Sequence, residues 1–159
     1  VGDFVETNSH YGKVTHMDLR NTVIETTSGQ VVFIPNKEIF DTPLINFSKK
    51  KIRRVNLSLG VSYGDDLEKV KKLTLKVIEG LDMCLTDKET TLVYDEFGDS
   101  SINFTVRFWV KFSRQFDYRS ARSEAIIAIK KAFDKEGISI PFPIRTLDID
   151  PKLVKSLKK

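Results

Sequence analysis

The chain has 159 residues, room for one or two small domains, with 40% hydrophobic and 30% charged residues and a mean hydropathy of −0.24. That composition excludes collagen-like, low-complexity and wholly disordered classes. Net charge is +4, but nine of the cations fall in two acid-free segments, Lys49, Lys50, Lys51, Arg53, Arg54 and Lys152, Lys155, Lys158, Lys159, leaving 17 basic against 22 acidic residues elsewhere. Such clusters attract phosphate or anionic lipid, and a solvated linker and a solvated tail account for them as well. The longest apolar run is five residues, 125–129, against roughly 20 for a bilayer span, and no signal-peptide pattern opens the chain. The text as written reads as soluble. It begins at Val1 directly in strand-like sequence, so a longer protein is expected upstream.

Residues 1–47 predict a small antiparallel barrel of five short strands. Phe4-Val5-Glu6, Lys13-Val14-Thr15 and Thr22-Val23-Ile24-Glu25-Thr26 are rich in β-branched residues, and Asn8-Ser9 and Ser28-Gly29 mark turns. Val31-Val32-Phe33-Ile34 is closed by Pro35, which cannot donate to a ladder, and Asn36 is expected to cap a helical turn over Lys37-Glu38-Ile39-Phe40. Leu44-Ile45-Asn46-Phe47 is the last strand. A core this small calls for self-association or support from the C-terminal two thirds of the chain.

Residues 48–54 read as a basic linker into a second domain over 48–143. Val55-Asn56-Leu57-Ser58-Leu59-Gly60-Val61 alternates as a strand. Asp65 or Asp66 then caps a helix with Leu67, Val70, Leu73, Val77, Ile78 and Leu81 on one stripe. Thr91-Leu92-Val93-Tyr94 is a strand, and Gly98-Asp99 turns the chain into the clearest alternation. There Ile102, Phe104, Val106, Phe108 and Val110 share one face, and Asn103, Thr105, Arg107, Trp109 and Lys111 the other. Asp117 starts a helix through Ala121, Ala125, Ala128, Ile129, Ala132 and Phe133, stopped by Gly137. Ile138-Ser139-Ile140 is expected as a short edge strand ending at Pro141 and Pro143. The order is βαββαβ, the ferredoxin-like arrangement, with two helices on one sheet face and the other face open and polar. The fold class is therefore α+β. Residues 144–150 contain one strand more than this sandwich needs, and residues 151–159 form a basic tail.

No catalytic constellation stands out, there being no phosphate loop, nucleophile elbow or zincin motif. One cysteine and two histidines cannot build a disulfide or a Cys/His zinc cage. His10 and His16 read as solvated, with Tyr11-Gly12 expected to break the strand between them. Asp65, Asp66 and Glu68 stand where a helix start wants negative charge. Asp95, Glu96 and Asp99 flank a turn without a visible acid/base partner, and Cys84 reads as a small buried apolar residue. No enzyme, cofactor or metal is expected. The alternative is a soluble RNA- or anion-binding two-domain module, because the RNA-binding RRM shares the βαββαβ order. Against it, the open face of the second hairpin strand carries only Trp109 where that module carries alternating aromatics.

The residues resemble a known family. Gly2-Asp3-Phe4-Val5, Gly12-Lys13-Val14, Thr22, Ser28-Gly29, Val32-Phe33-Ile34-Pro35-Asn36, Ile39, Ile45-Asn46-Phe47-Ser48, Arg53-Arg54 and Gly60-Val61-Ser62-Tyr63 look like the cytoplasmic region of the small-conductance mechanosensitive channel family, MscS. Ser100-Ser101-Ile102-Asn103-Phe104, Arg107, Trp109 and the stretch from Phe133 to Pro143 continue the match, which covers nearly all of residues 1–150. The resemblance implies a homoheptamer gated by membrane tension through upstream transmembrane helices. It would release ions and small osmolytes on hypo-osmotic shock, from a bacterial inner membrane. It also implies an Sm-like β domain below the membrane, αβ domains enclosing a chamber, side portals between the two layers and a small barrel of terminal strands at the base. On this reading Lys51, Arg53, Arg54 and Asn56 line the portals and bias permeation toward anions and small neutral solutes, because a charged ring sets local ion concentration. Asn56 stands where the best-known bacterial member has an acid. Alternatively, Arg53 and Arg54 form ion pairs between the layers. Thr146, Leu147, Asp148 and Ile149 would supply the intersubunit barrel strand, which accounts for the extra strand. The chain departs from the family pattern at Asn8-Ser9-His10-Tyr11, where a glycine-rich turn is usual, and at Ser28, where an Asp is usual.

Overall fold

A computed structural model describes residues 1–145, apart from the side chains of residues 115 and 116. The first unit is a five-stranded antiparallel sheet of β1 (Phe4–Thr7), β2 (His10–Met17), β3 (Asn21–Thr26), β4 (Val31–Pro35) and β5 (Ile45–Asn46), in the order β4-β3-β2-β1-β5. The first four strands pair consecutively through short hairpins, as β-branched runs separated by turn residues require. The tightest turn, Asn8-Ser9, has both residues at positive φ, 49° and 61°, so a conformation that glycine adopts freely is held here by Asn and Ser. The core of this unit is Val5, Val14, Ile24 and Ile34, with Val32 and Ile39 against it. Gly12 is required by proximity, since a Cβ there would lie 2.3 Å from the Glu25 carbonyl oxygen across the ladder.

Two expectations for this unit are corrected. β2 runs through Tyr11 and Gly12 without a break; its irregularity is a bulge between Val14 and His16. The short helix α1 (Asn36–Asp41) forms, but the Asn36 side chain does not cap it. Its Oδ1 instead accepts from the Thr22 hydroxyl at 2.8 Å and its Nδ2 donates to the Asp18 carbonyl at 2.9 Å, tying α1 to the β2–β3 turn.

The second unit is a three-stranded antiparallel sheet in the order β6-β8-β7, built from β6 (Ile52–Val61), β7 (Thr91–Phe97) and β8 (Ile102–Lys111). The helices α2 (Leu67–Glu79) and α3 (Gln115–Glu136), with Cys84 and Ile138 from the connecting segments, supply the rest of its core. β6 starts inside the segment expected as linker, because β8 is long enough to pair Ile52 with Lys111. The alternation of β8 is realised in full, with Ile102, Phe104, Val106, Phe108 and Val110 all buried against Val70, Ile78, Ala121, Ala125, Ile129 and Phe133. Asp66 caps α2 by accepting from the Glu68 and Lys69 amides. Asp117 accepts from the Ser113 and Arg114 amides at the start of α3, and Gly137 ends it at φ 70°.

The sequence β6-α2-β7-β8-α3 follows the ferredoxin-like order, but the expected fourth strand of the unit is absent among the described residues. Ile138-Ser139-Ile140 is not a strand. It is tethered beside the end of β6 by one backbone bond, from the Ser62 amide to the Ser139 carbonyl (3.0 Å), and by the Asp65 carboxylate, which accepts from the Ser62 and Ser139 amides at 3.1 Å each. Pro141 and Pro143 allow no longer ladder. The intersubunit strand assigned to Thr146, Leu147, Asp148 and Ile149, and the basic tail, lie outside the described residues.

Candidate functional site

The four residues assigned to portals lie at the junction of the two units, but they do not share a face. Strand parity separates them. Arg53 has the parity of the core residues Val55 and Leu57, whereas Arg54 and Asn56 are exposed on the side of the sheet away from the helices. Lys51 is exposed and precedes β6 in a turn with a left-handed φ of 53°, its amide bonded to the Ser48 carbonyl and its carbonyl to the Phe112 amide.

On the open face, Arg54 Nε donates to Asn56 Oδ1 at 3.0 Å. Trp109 lies directly opposite Arg54 and Arg107 opposite Asn56, so Arg54, Asn56, Arg107 and Trp109 form one continuous patch. Among the described residues no carboxylate comes within salt-bridge distance of either arginine. The acids sit at the far end of the same face, where Asp95 accepts from the Thr105 hydroxyl (2.6 Å) and Glu96 from the Asn103 amide (2.9 Å). The face is therefore positive toward the junction and negative toward the β7–β8 turn. Arg107 was legible in the alternation of β8, which puts it on the open side; its position beside Asn56 was not.

Arg53 has a different setting. Its guanidinium lies 4.1 Å from the centroid of the Tyr118 ring, 4.4 Å from Phe47 and 5.5 Å from Phe112, and it donates to the Tyr11 hydroxyl. Burial raises the Tyr11 pKa above its ordinary value, and the Arg53 charge and hydrogen bond oppose that shift. Arg53 thus makes cation–π contacts and a hydrogen bond to Tyr11, and Arg54 an amide contact to Asn56.

The sequence motifs flanking this junction have structural tasks. Asn46 Oδ1 accepts from the Ser48 and Lys49 amides at 3.0 and 2.8 Å, its Nδ2 donates to Asp3 at 2.8 Å, and the Ser48 hydroxyl accepts from the Phe4 amide at 3.0 Å. These bonds lock the exit from β5 into the turn before β6.

The remaining candidates are accounted for locally. His10 and His16 are exposed. Asp65 ties two loops and Asp66 caps a helix, so their carboxylates serve backbone amides, and among the described residues no group of His, Cys, Asp and Glu is arranged to hold a metal. Cys84 is buried beside Val110 at the foot of an open cleft of about 400 Å³, edged by Asp82, Asp87, Asp117 and Glu124. No helix among the described residues is long and apolar enough to cross a membrane.

Comparison with known proteins agrees with this architecture. Residues 1–49 match the family described as "Mechanosensitive ion channel, beta-domain", and residues 55–140 match "Mechanosensitive ion channel MscS, C-terminal". The chain is 34% identical over 157 residues to a small-conductance mechanosensitive channel of Helicobacter pylori, covering 99% of this chain and 56% of that protein. It is 36% identical over 157 residues to an uncharacterized MscS family protein of Synechocystis, covering 99% of this chain and 52% of that one. The crystal structure of H. pylori MscS in its closed state superposes with a TM-score of 0.87 at 33% identity, over 94% of this chain and 58% of that chain. The chain thus spans about half the length of the relatives it matches. The family is one of channels, not enzymes, and the RNA-binding alternative has no support beside it. The chain belongs to the MscS family of mechanosensitive ion channels and carries the β domain and C-terminal region of that family.

Proposed function

We propose that this chain is the cytoplasmic vestibule of a tension-gated homoheptameric channel that releases ions and small osmolytes on hypo-osmotic shock, held in a bacterial inner membrane by helices upstream of Val1. Membership of the channel family carries the reading. Two features of the described residues support assembly into a ring. Both sheets have free edges, β4 and β5 in one and β6 and β7 in the other. The β unit also exposes Leu19, Phe33 and Phe40, large apolar side chains that a lone domain would hide. A closed ring of identical subunits covers such surfaces with copies of themselves.

Lys51, Arg54 and Asn56 line the portals, joined by Arg107 from the same patch. Arg53, whose guanidinium is enclosed by rings, contributes no free charge to the opening. The ring of cations raises local anion concentration and passes small neutral solutes. Native mass spectrometry of the full-length protein tests the assembly, a discrete sevenfold species being the expected result. Patch-clamp recording in a salt gradient tests the portal: Arg54→Glu and Lys51→Glu together move the reversal potential toward cation preference. An unchanged reversal potential in a channel that still gates would remove the portal assignment and leave the family intact.

A further inference from the structure

We propose that Arg53 is a positioning residue whose caged guanidinium sets the angle between the β unit and the α/β unit. Among the described residues the two sheets share no strand pairing, so their relative orientation rests on the turn around Lys51 and on side chains that cross the junction. Arg53 belongs to β6, yet its guanidinium contacts Phe47 and Tyr11 of the β unit as well as Phe112 and Tyr118 of the α/β unit. The rings also contact one another: Tyr11 meets Phe47 edge-on at 5.3 Å, Phe4 stacks on Tyr11 at 6.0 Å and Phe4 meets Phe112 edge-on at 6.4 Å.

A guanidinium is planar and lies flat on aromatic faces, so rings on either side of it restrict rotation as well as separation. An ammonium in the same place keeps the charge but loses the plane. A carboxylate partner would hold Arg53 by charge alone, whereas the cage holds it by shape and by the quadrupoles of rings from both units. Side chains from β2, the exit of β5, the end of β8 and α3 converge on this one group, and the short turn of residues 48–51 is the covalent link between the units.

The positioning role stands on these contacts. Its consequence for permeation rests on the proposed function, in which the same angle fixes the gap between the two layers.

Hydrogen–deuterium exchange on the full-length protein tests the role at three junction amides: Phe4, bonded to the Ser48 hydroxyl, Phe47, bonded to the Phe4 carbonyl, and Phe112, bonded to the Lys51 carbonyl. Arg53→Met is expected to speed their exchange about tenfold or more, while the core amides of Ile24 and Phe104 stay within about twofold of wild type. Arg53→Lys is expected to fall between, since it restores charge without the plane. If Arg53→Met does not accumulate, Tyr118→Leu removes one wall of the cage and is read in the same way. Unchanged junction exchange overturns the proposal. So does acceleration spread equally through Ile24 and Phe104, because that describes general destabilisation. Full rescue by Lys overturns it too, because charge alone would then suffice. Patch-clamp recording of the same variant separates the two ideas: loosened junction amides with unaltered unitary conductance keep the positioning role and remove its consequence for the gap.

Discussion

The β unit and the α/β unit solve the same problem with unequal means. The α/β unit buries a cluster of seventeen residues, with Phe104, Phe108 and Phe133 at its centre, whereas the β unit's buried cluster is four aliphatic side chains. Two helices give the larger unit a second layer whose stripes meet the buried face of β6 and β8. The smaller unit has only α1, none of whose residues is buried, so its sheet has no second layer of comparable size. Burial scales with volume and exposure with surface, so a unit of this size keeps apolar side chains outside. The β unit therefore depends on what touches it, through the aromatic junction and through neighbouring copies in the proposed ring.

The largest expected effects break this contrast directly. Phe104→Ala removes a fully buried ring and is expected to cost about 3–5 kcal/mol, and Ile24→Ala about 2–5 kcal/mol. In the smaller core the second loss is the graver share. Urea titration followed by hydrogen exchange should then show Ile24→Ala unprotecting β1–β5 while β6–β8 remain protected. Equal loss in both units would make the chain one cooperative body. A smaller effect sharpens the account of why so small a sheet packs at all. Gly12→Ala puts a methyl group against the Glu25 carbonyl and the Ile24 side chain and should destabilise by about 1–3 kcal/mol, read as a lowered thermal midpoint.

The smallest effect is a pH dependence confined to the β unit. Asp18 accepts from the Asn21 amide at 2.7 Å and the Arg20 amide at 2.8 Å, and these bonds hold its carboxyl below the ordinary aspartate range. A lowered native pKa means that the unfolded chain binds the proton more readily. The stabilisation is therefore complete above the unfolded pKa and is lost as pH falls through the native value. Stability of the β2–β3 turn should decline on acidification below about pH 4. Asp18→Asn should flatten that decline in amide exchange of residues 18–21; an identical acid profile in the variant would assign it to other groups.

Much of the fold was legible because single periodicities specify it. The alternation of β8 names its buried residues without exception, and the stripe of α2 and the Asp66 and Gly137 signals bound the helices. The misread places are those where tertiary contact overrides a local signal. Asn36 has the chemistry of a cap, yet Thr22 and the Asp18 carbonyl offer it better partners than the helix does. Ile138-Ser139-Ile140 has strand composition, yet the prolines after it and the Asp65 tether leave it a single backbone bond to the end of β6. Arg54 and Asn56, proposed for the portals, share one face of β6, whereas Arg53 between Ile52 and Arg54 has the opposite parity, because adjacent strand residues point to opposite sides.

What the sequence determined by itself is whatever neighbouring residues decide among themselves: strand parity, helix stripes, turn chemistry, and the motif combination that marks the MscS family. The partners of Arg53 required the tertiary structure. Tyr11, Phe47, Phe112 and Tyr118 come from separate elements that only folding brings together. A cation in a basic cluster reads as solvated until the rings that enclose it are in place, because cation–π attraction depends on distance and orientation in space and not on separation along the chain.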